Sequence, residues 1–217
     1  MSMFDRQEIP EALLDGRCQD NDDASSRFED DINALLSFSL VATDVGGSQF
    51  EMHQLVQFST KKWLELNQEL EEWKERYATL MDDSYPVGQP ENWTVCQALF
   101  LHAQGAVGSP PTDAKTLEAW ASVLFKAAWH ASEMGQYNEA QKMGTSALHA
   151  RETTLGVEHS DILGSLNGLG SVLNWQGKYK EAEAIHRPTL EASKRVLGAE
   201  HPDTLATMAN LASTYRS

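Results

Sequence analysis

By residue type, the side chains best suited to chemistry in this sequence are its histidines. His159 sits between Glu158 and Asp161, and His201 repeats that arrangement between Glu200 and Asp203. An imidazole flanked by carboxylates is raw material for metal ligation or acid–base catalysis. Both histidines lie in turns between helical segments, however, where structure alone gives them a reason to recur. No nucleophile or second basic group converges on either carboxylate pair, so solvated turn charge is the expected role. Neither a metal nor a cofactor is expected. His53 stands at a strand-to-helix junction, a further place where a histidine can be structural. Cys18 and Cys96 form no C-x-x-C pair and lie at no ligand spacing from a histidine, so they read as ordinary reduced thiols. The sequence contains no G-x-S-x-G nucleophile elbow and no G-x-x-x-x-G-K-[ST] phosphate cradle. A non-catalytic protein is expected.

The charge balance narrows the partners. The 217 residues carry 17 Lys+Arg against 32 Asp+Glu, a formal net charge of −15. Nucleic acid and anionic membrane surfaces are gripped by clustered cations, which this composition lacks. With 41% hydrophobic residues the chain can bury a core. No apolar run approaches the roughly 18 residues of a bilayer span, and the N-terminus has no basic flank leading into an apolar stretch, so a cytoplasmic protein is expected.

The segments that must position these residues are mainly helical. Asp15 to Ser26 is polar and turn-prone, and reads as loop or disorder. Phe28, Ile32, Leu35 and Leu36 then fall at helical spacing. Leu40–Thr43 and Gln49–Met52 are strand-like runs around Val45-Gly46-Gly47-Ser48, where glycine would supply the positive φ of a tight hairpin. The helical period returns at Leu55 and persists, with breakers at Tyr85–Pro90 and Gly105–Pro111 bracketing a helix that holds Trp93, Cys96 and Leu99. Trp63, Trp73, Trp93 and Trp120 fit packing positions and are expected mostly in the core.

The decisive feature is an internal repeat of period 42. Residues 121–162 laid over 163–204 match at twelve positions, among them Gly135-x-Tyr137-x-Glu139-Ala140 with Gly177-x-Tyr179-x-Glu181-Ala182, and Leu155-Gly156-x-Glu158-His159-x-Asp161 with Leu197-Gly198-x-Glu200-His201-x-Asp203. A third copy begins at Leu205. Each unit reads as helix, short turn, helix, longer turn. Small residues (Ala128, Gly170 and Ala212 against Ala140 and Ala182) let paired helices approach, while Leu166, Leu169, Tyr179 and Leu190 fill the space around them. One such pair cannot bury both its apolar faces, so stacking into an α-solenoid follows. Pro188 falls inside the second helix of its unit and predicts a bend over Ala184–Pro188.

At these residues the sequence resembles tetratricopeptide repeats, and the 42-residue period with L-G-x-E-H-x-D between helices is similar to the kinesin-light-chain subtype. It departs from that subtype at Gly144 and His186, which stand where a bulky aromatic is usual. The resemblance implies a protein- or peptide-binding groove lined by Phe125, Trp129, Ser132, Asn167, Ser171, Asn174, Trp175 and Asn210. Residues 9–66, with Ile9-Pro10-Glu11-Ala12-Leu13-Leu14 and Phe50-Glu51-Met52-His53-Gln54-Leu55-Val56-Gln57, resemble the winged-helix module that follows the nucleotide-binding core in fungal NB-ARC-type STAND proteins. In that family a Met-His-Asp histidine senses the bound nucleotide; here the triplet is Met52-His53-Gln54, and His53 would have that role only in an intact parent.

The expected organisation is a winged-helix-like module over 1–66, a helical connector over 67–116, and a solenoid over 117–217 with repeats 121–162, 163–204 and a partial 205–217. The expected function is an interaction scaffold, the carboxyl-side part of a larger STAND-type switch, with a free-standing kinesin-light-chain-like cargo adaptor as the alternative. The third copy, with Leu205, Met208, Leu211 and Tyr215 on its inner face and no polar cap, raises self-association as a further expectation.

Overall fold

The computed structural model describes residues 1–14, 22–44, 46, 48–156 and 158–216. Two compact units divide between Ser84 and Tyr85. The first holds β1 (Ile9–Pro10), α1 (Glu11–Leu14), α2 (Asp22–Ser37), β2 (Val41–Thr43), β3 (Gln49–Met52), α3 (Gln54–Leu66) and α4 (Leu70–Ser84). The two strands read from sequence pair antiparallel with Val41 opposite Met52. A third, β1, joins the other edge of β3 with Ile9 opposite Phe50, giving the order β1-β3-β2. Two residues are too few to show a period, which is why β1 left no strand signal. Alternation on β3 buries Phe50 and Met52 and leaves Glu51 exposed. Ile9, Leu13, Ile32, Val41, Leu64, Tyr77 and Met81 are buried in the same unit, and the Phe4 ring meets Tyr77 edge-on at 5.0 Å.

The hairpin connection departs from expectation. Gly46 does not take a positive φ, and Val45 and Gly47 lie outside the described residues. The Asp44 carboxylate organises this loop instead, accepting from the Gln49 amide at 3.0 Å and the Ser48 hydroxyl at 3.4 Å. These donors, the Gln49 amide above all, hold its pKa below the usual carboxylate value. The loop expected over Asp15–Ser26 is also shorter at its far end. Residues 15–21 are not described, but the backbone is helical from Asp22, because a helix anchored by Ile32 extends at little cost per added residue.

The second unit holds α5 (Trp93–Ala106), α6 (Ala114–Glu133), α7 (Tyr137–Thr154), α8 (Ser160–Trp175), α9 (Tyr179–Val196) and α10 (Pro202–Arg216). Each of these helices packs on the next, and among the first helices of the repeats α8 also neighbours both α6 and α10. The repeat motif explains itself residue by residue. Gly135 and Gly177 adopt φ of 73° and 76°, and the amides that follow them reach back to Ala131 and Leu173 at 2.8 and 2.9 Å, closing the helix ends. Gly156 and Gly198, at φ 81° and 98°, end the second helices. His159 and His201 are N-caps, each ring Nδ1 accepting from the amide two residues on at 3.2 Å. His53 caps α3 in the same way, from Leu55 at 3.2 Å. Asp161 and Asp203 follow in the first turns, where the helix dipole favours a carboxylate. Helix α9 continues through Pro188 to Val196, although the proline has no amide to give the Ala184 carbonyl.

Packing between paired helices uses an exchange of volume that the overlay of repeats makes visible. In the first repeat Ala128 faces Gly144, where a Cβ would sit 3.9 Å from the alanine methyl. In the second, the equivalent positions are Gly170 and His186, and a Cβ on Gly170 would lie 2.6–2.9 Å from three atoms of the imidazole. The histidine ring therefore occupies space vacated by the glycine. His186 is fully buried, and its only polar neighbour is the Gly170 backbone, too poorly aligned for a regular hydrogen bond. Burial pushes its pKa down, and that of His130 likewise.

Burial favours the neutral form of both rings in the fold, while the unfolded chain takes up protons near the ordinary value of about 6.5. Their contribution is thus complete above that pH and shrinks as the solution is acidified. Denaturant titrations are expected to give a lower midpoint at pH 5.5 than at pH 7.5, with a smaller difference in a His186→Ala chain. An unchanged midpoint would show the rings to be hydrated.

The tryptophans correct an expectation. Trp120 is buried and donates from Nε1 to the Ala106 carbonyl at 3.0 Å, but Trp63, Trp73 and Trp93 are exposed. Helical spacing assigns a residue to a face without fixing how far that face is covered; Trp73, with the Arg76 guanidinium 4.9 Å from its ring centroid, is still 39% exposed. Tyr179 is exposed rather than buried, and α10 buries Thr204, Thr207 and Thr214 while Leu205, Met208 and Tyr215 face outward.

Candidate functional site

The expected groove residues lie on α6, α8 and α10, with α8 next to each of the other two. Trp129 and Trp175 are 51% and 49% exposed, large apolar side chains left at the surface. Trp129 is steadied from below, since its Cδ1 lies 3.1 Å from where a Cβ on Gly88 would be. Trp175 is steadied from the side by Tyr137, with ring centroids 5.9 Å apart. Between repeats, Asn210 Nδ2 donates to Asn167 Oδ1 at 3.1 Å, while Ser171 donates its hydroxyl to the Asn167 carbonyl at 3.0 Å. Asn174 carries a buried side-chain oxygen with no donor.

Two expected positions are not free for a partner. Ser132 is buried and donates to the Ala128 carbonyl at 2.9 Å. Phe125 is half-buried beneath the Arg151 guanidinium, 5.0 Å from its ring centroid. Arg151 itself escaped the sequence reading. Its Nε donates to Glu118 at 3.2 Å and its Nη1 to Ser165 Oγ at 2.9 Å and the Asp161 carbonyl at 3.3 Å, tying α7 to both α6 and α8. The signal was available: Arg151 falls on the stripe of Ala140, Met143 and Ala147, and a charge there has to be paired.

Tetratricopeptide-repeat family models match residues 127–161 and 161–217. Residues 127–217 carry tetratricopeptide repeats. A nucleotide-binding leucine-rich repeat (NLR)-like protein of Hyaloscypha variabilis is 30% identical over 169 residues, which are 77% of this chain and 16% of that relative. The chain therefore spans about a sixth of the length of the relative it matches.

Tetratricopeptide repeats are protein–protein interaction modules. Sequence reasoning missed Tyr137, which stands at the start of a second helix and packs on Trp175 from there. Among the described residues no group of three His, Cys, Asp or Glu side chains could hold a metal, and no helix is long and apolar enough to cross a membrane.

Proposed function

We propose that the second unit is a scaffold that captures a protein segment across α6, α8 and α10, with Trp129 and Trp175 as its apolar anchors. The observation that carries this is the pair of half-exposed tryptophans, each held by a neighbour, Trp129 over Gly88 and Trp175 against Tyr137. Rigid aromatic anchors of this kind dominate binding energy at interfaces. The net charge of −15 favours a basic or neutral segment and opposes nucleic acid.

Selection of peptides from a random library on the intact chain tests the reading. Selected peptides should bind a Trp129→Ala, Trp175→Ala chain at least tenfold more weakly, and basic ones should lose affinity as salt rises. Equal binding to both chains would remove the groove from the account.

Within that reading, the chain acts as the carboxyl-side arm of a nucleotide-dependent switch of the STAND type. The NLR-like relative supports this, as does a first unit whose order β1-β3-β2 around helices fits a winged helix. His53 would contact nucleotide only in a parent that supplies the phosphate cradle; here its Nδ1 is used in capping α3. Transcript mapping across the locus decides the point. A P-loop in frame upstream supports the switch, and a transcript without one leaves the kinesin-light-chain-like adaptor.

A further inference from the structure

The repeat builds two junctions from equivalent stations, and their interiors differ. Between α7 and α8, Arg151 Nη1 donates to Ser165 Oγ at 2.9 Å and to the Asp161 carbonyl at 3.3 Å, with Glu118 as its counter-charge and Phe125 against its guanidinium. One repeat later the stations of Arg151, Glu118, Phe125 and Ile162 are held by Ser193, Ser160, Asn167 and Thr204, each a smaller side chain. Ser165 becomes Thr207, larger by a methyl. The local bond at that station is kept: Ser165 donates its hydroxyl to the Asp161 carbonyl at 2.7 Å, and Thr207 donates to the Asp203 carbonyl at 2.8 Å. The acceptors that Arg151 serves in the first junction therefore recur in the second, where a serine replaces the arginine.

Two hydroxyls at the second junction point the same way. Ser193 and Thr204 are 1% and 0% exposed, and neither Ser193 Oγ nor Thr204 Oγ1 has a hydrogen-bond partner among the described residues. Thr204 stands one turn before Thr207 on α10, and Thr207 is buried as well. Buried hydroxyls are costly to leave unpaired and are ordinarily met by protein or by ordered water. The chemistry of a guest follows from these atoms. Thr207 gives its proton to Asp203, so its oxygen and the Asp203 carbonyl take a donor, whereas Ser193 and Thr204 can also give a proton. A cation is opposed, because the carboxylate that balances Arg151 is a serine here and a buried unpaired charge is penalised. Size is permissive, since the change from arginine to serine alone releases more than the ~30 Å³ that a water takes up in the liquid.

We propose that the junction of α9 and α10 is a built site for internal water, which donates to Thr207 Oγ1 and the Asp203 carbonyl and accepts from the Ser193 and Thr204 hydroxyls. Water is small, neutral and able both to donate and to accept, so it meets each of these atoms. It stands where the guanidinium of Arg151 stands one repeat earlier. The solenoid is then clamped by an ion pair at one junction and bridged by water at the next. The site is separate from the tryptophan groove and does not depend on it.

Oxygen-17 relaxation dispersion of water around the full chain reports long-lived internal molecules. Its amplitude is expected to fall in a Ser160→Glu, Ser193→Arg chain, in which a guanidinium and its carboxylate take the place of the water. Thr204→Val supplies a second reading, because it keeps the shape and removes one hydroxyl. With water in the junction, the change strips a hydrogen bond from the guest and should lower the folding equilibrium constant about threefold in urea titrations. A dry junction would instead be relieved of an unpaired hydroxyl and become more stable. The second measurement stands whether or not the grafted ion pair folds. The proposal is overturned by an amplitude that a folded Ser160→Glu, Ser193→Arg chain leaves unchanged, or by a Thr204→Val chain at least as stable as the parent.

Discussion

An Arg151→Ala chain is expected to lose about 3 kcal/mol of stability in its second unit. Removing one partner of a buried ion pair typically costs 3–5 kcal/mol, because the other charge is stranded. Here the Glu118 side chain is 29% exposed and can recover part of its hydration, which places the loss at the low end. Two further consequences add to it. Ser165 and the Asp161 carbonyl lose a donor, and Phe125 loses the flat cation above it. Because these partners belong to α6 and α8, the cost falls on the coupling between repeats more than on α7 alone. Hydrogen exchange should show α6, α7 and α8 opening together at lower free energy. Arg151→Met, which keeps the stem over Phe125, should recover part of the loss, and Glu118→Gln should cost less than Arg151→Ala. If Arg151→Ala melts with the parent, the clamp contributes nothing.

Replacing Gly170 by alanine should also destabilise, against the usual rule. In a helix interior this change ordinarily gains about 1 kcal/mol. The new methyl would lie 2.6–2.9 Å from Cε1, Nε2 and Nδ1 of a ring with no space to retreat, and overpacking of this kind costs about 1–3 kcal/mol. A net loss of about 1–2 kcal/mol follows. His186→Ala alone should also destabilise, by leaving a cavity. Combining the two recreates the small-on-small contact of Ala128 and Gly144, so the double variant should be more stable than the sum of the singles by about 1 kcal/mol or more. Urea denaturation of the four chains measures that coupling, and strict additivity would mean that the ring and the methyl never meet.

Much of the solenoid was legible because a repeat compares the sequence with itself. Gly135 and Gly177, and the histidines with their acids, could be placed at helix ends before any coordinates, since each does a local task at a fixed distance from its neighbours. The groove was less legible. Trp129 and Trp175 are at the surface as expected, while Ser132 turned inward and Phe125 went under Arg151, because a residue's face is set by which helices arrive beside it. Strand β1 was missed for want of length, and the tryptophans outside the repeats were misjudged because spacing shows that residues share a face without showing what covers it.

The sequence by itself determined the helical hairpins and their period of 42. These are matters of local hydrogen bonding, turn conformation and residue inventory, which act over a few positions. Only the tertiary structure decided that His186 fills the hollow of Gly170, that Arg151 joins three helices, and that α10 turns threonines inward and leucine, methionine and tyrosine out. Each of those depends on volumes and charges meeting across helices far apart in the chain, and close packing makes the outcome at one position conditional on its neighbour in space.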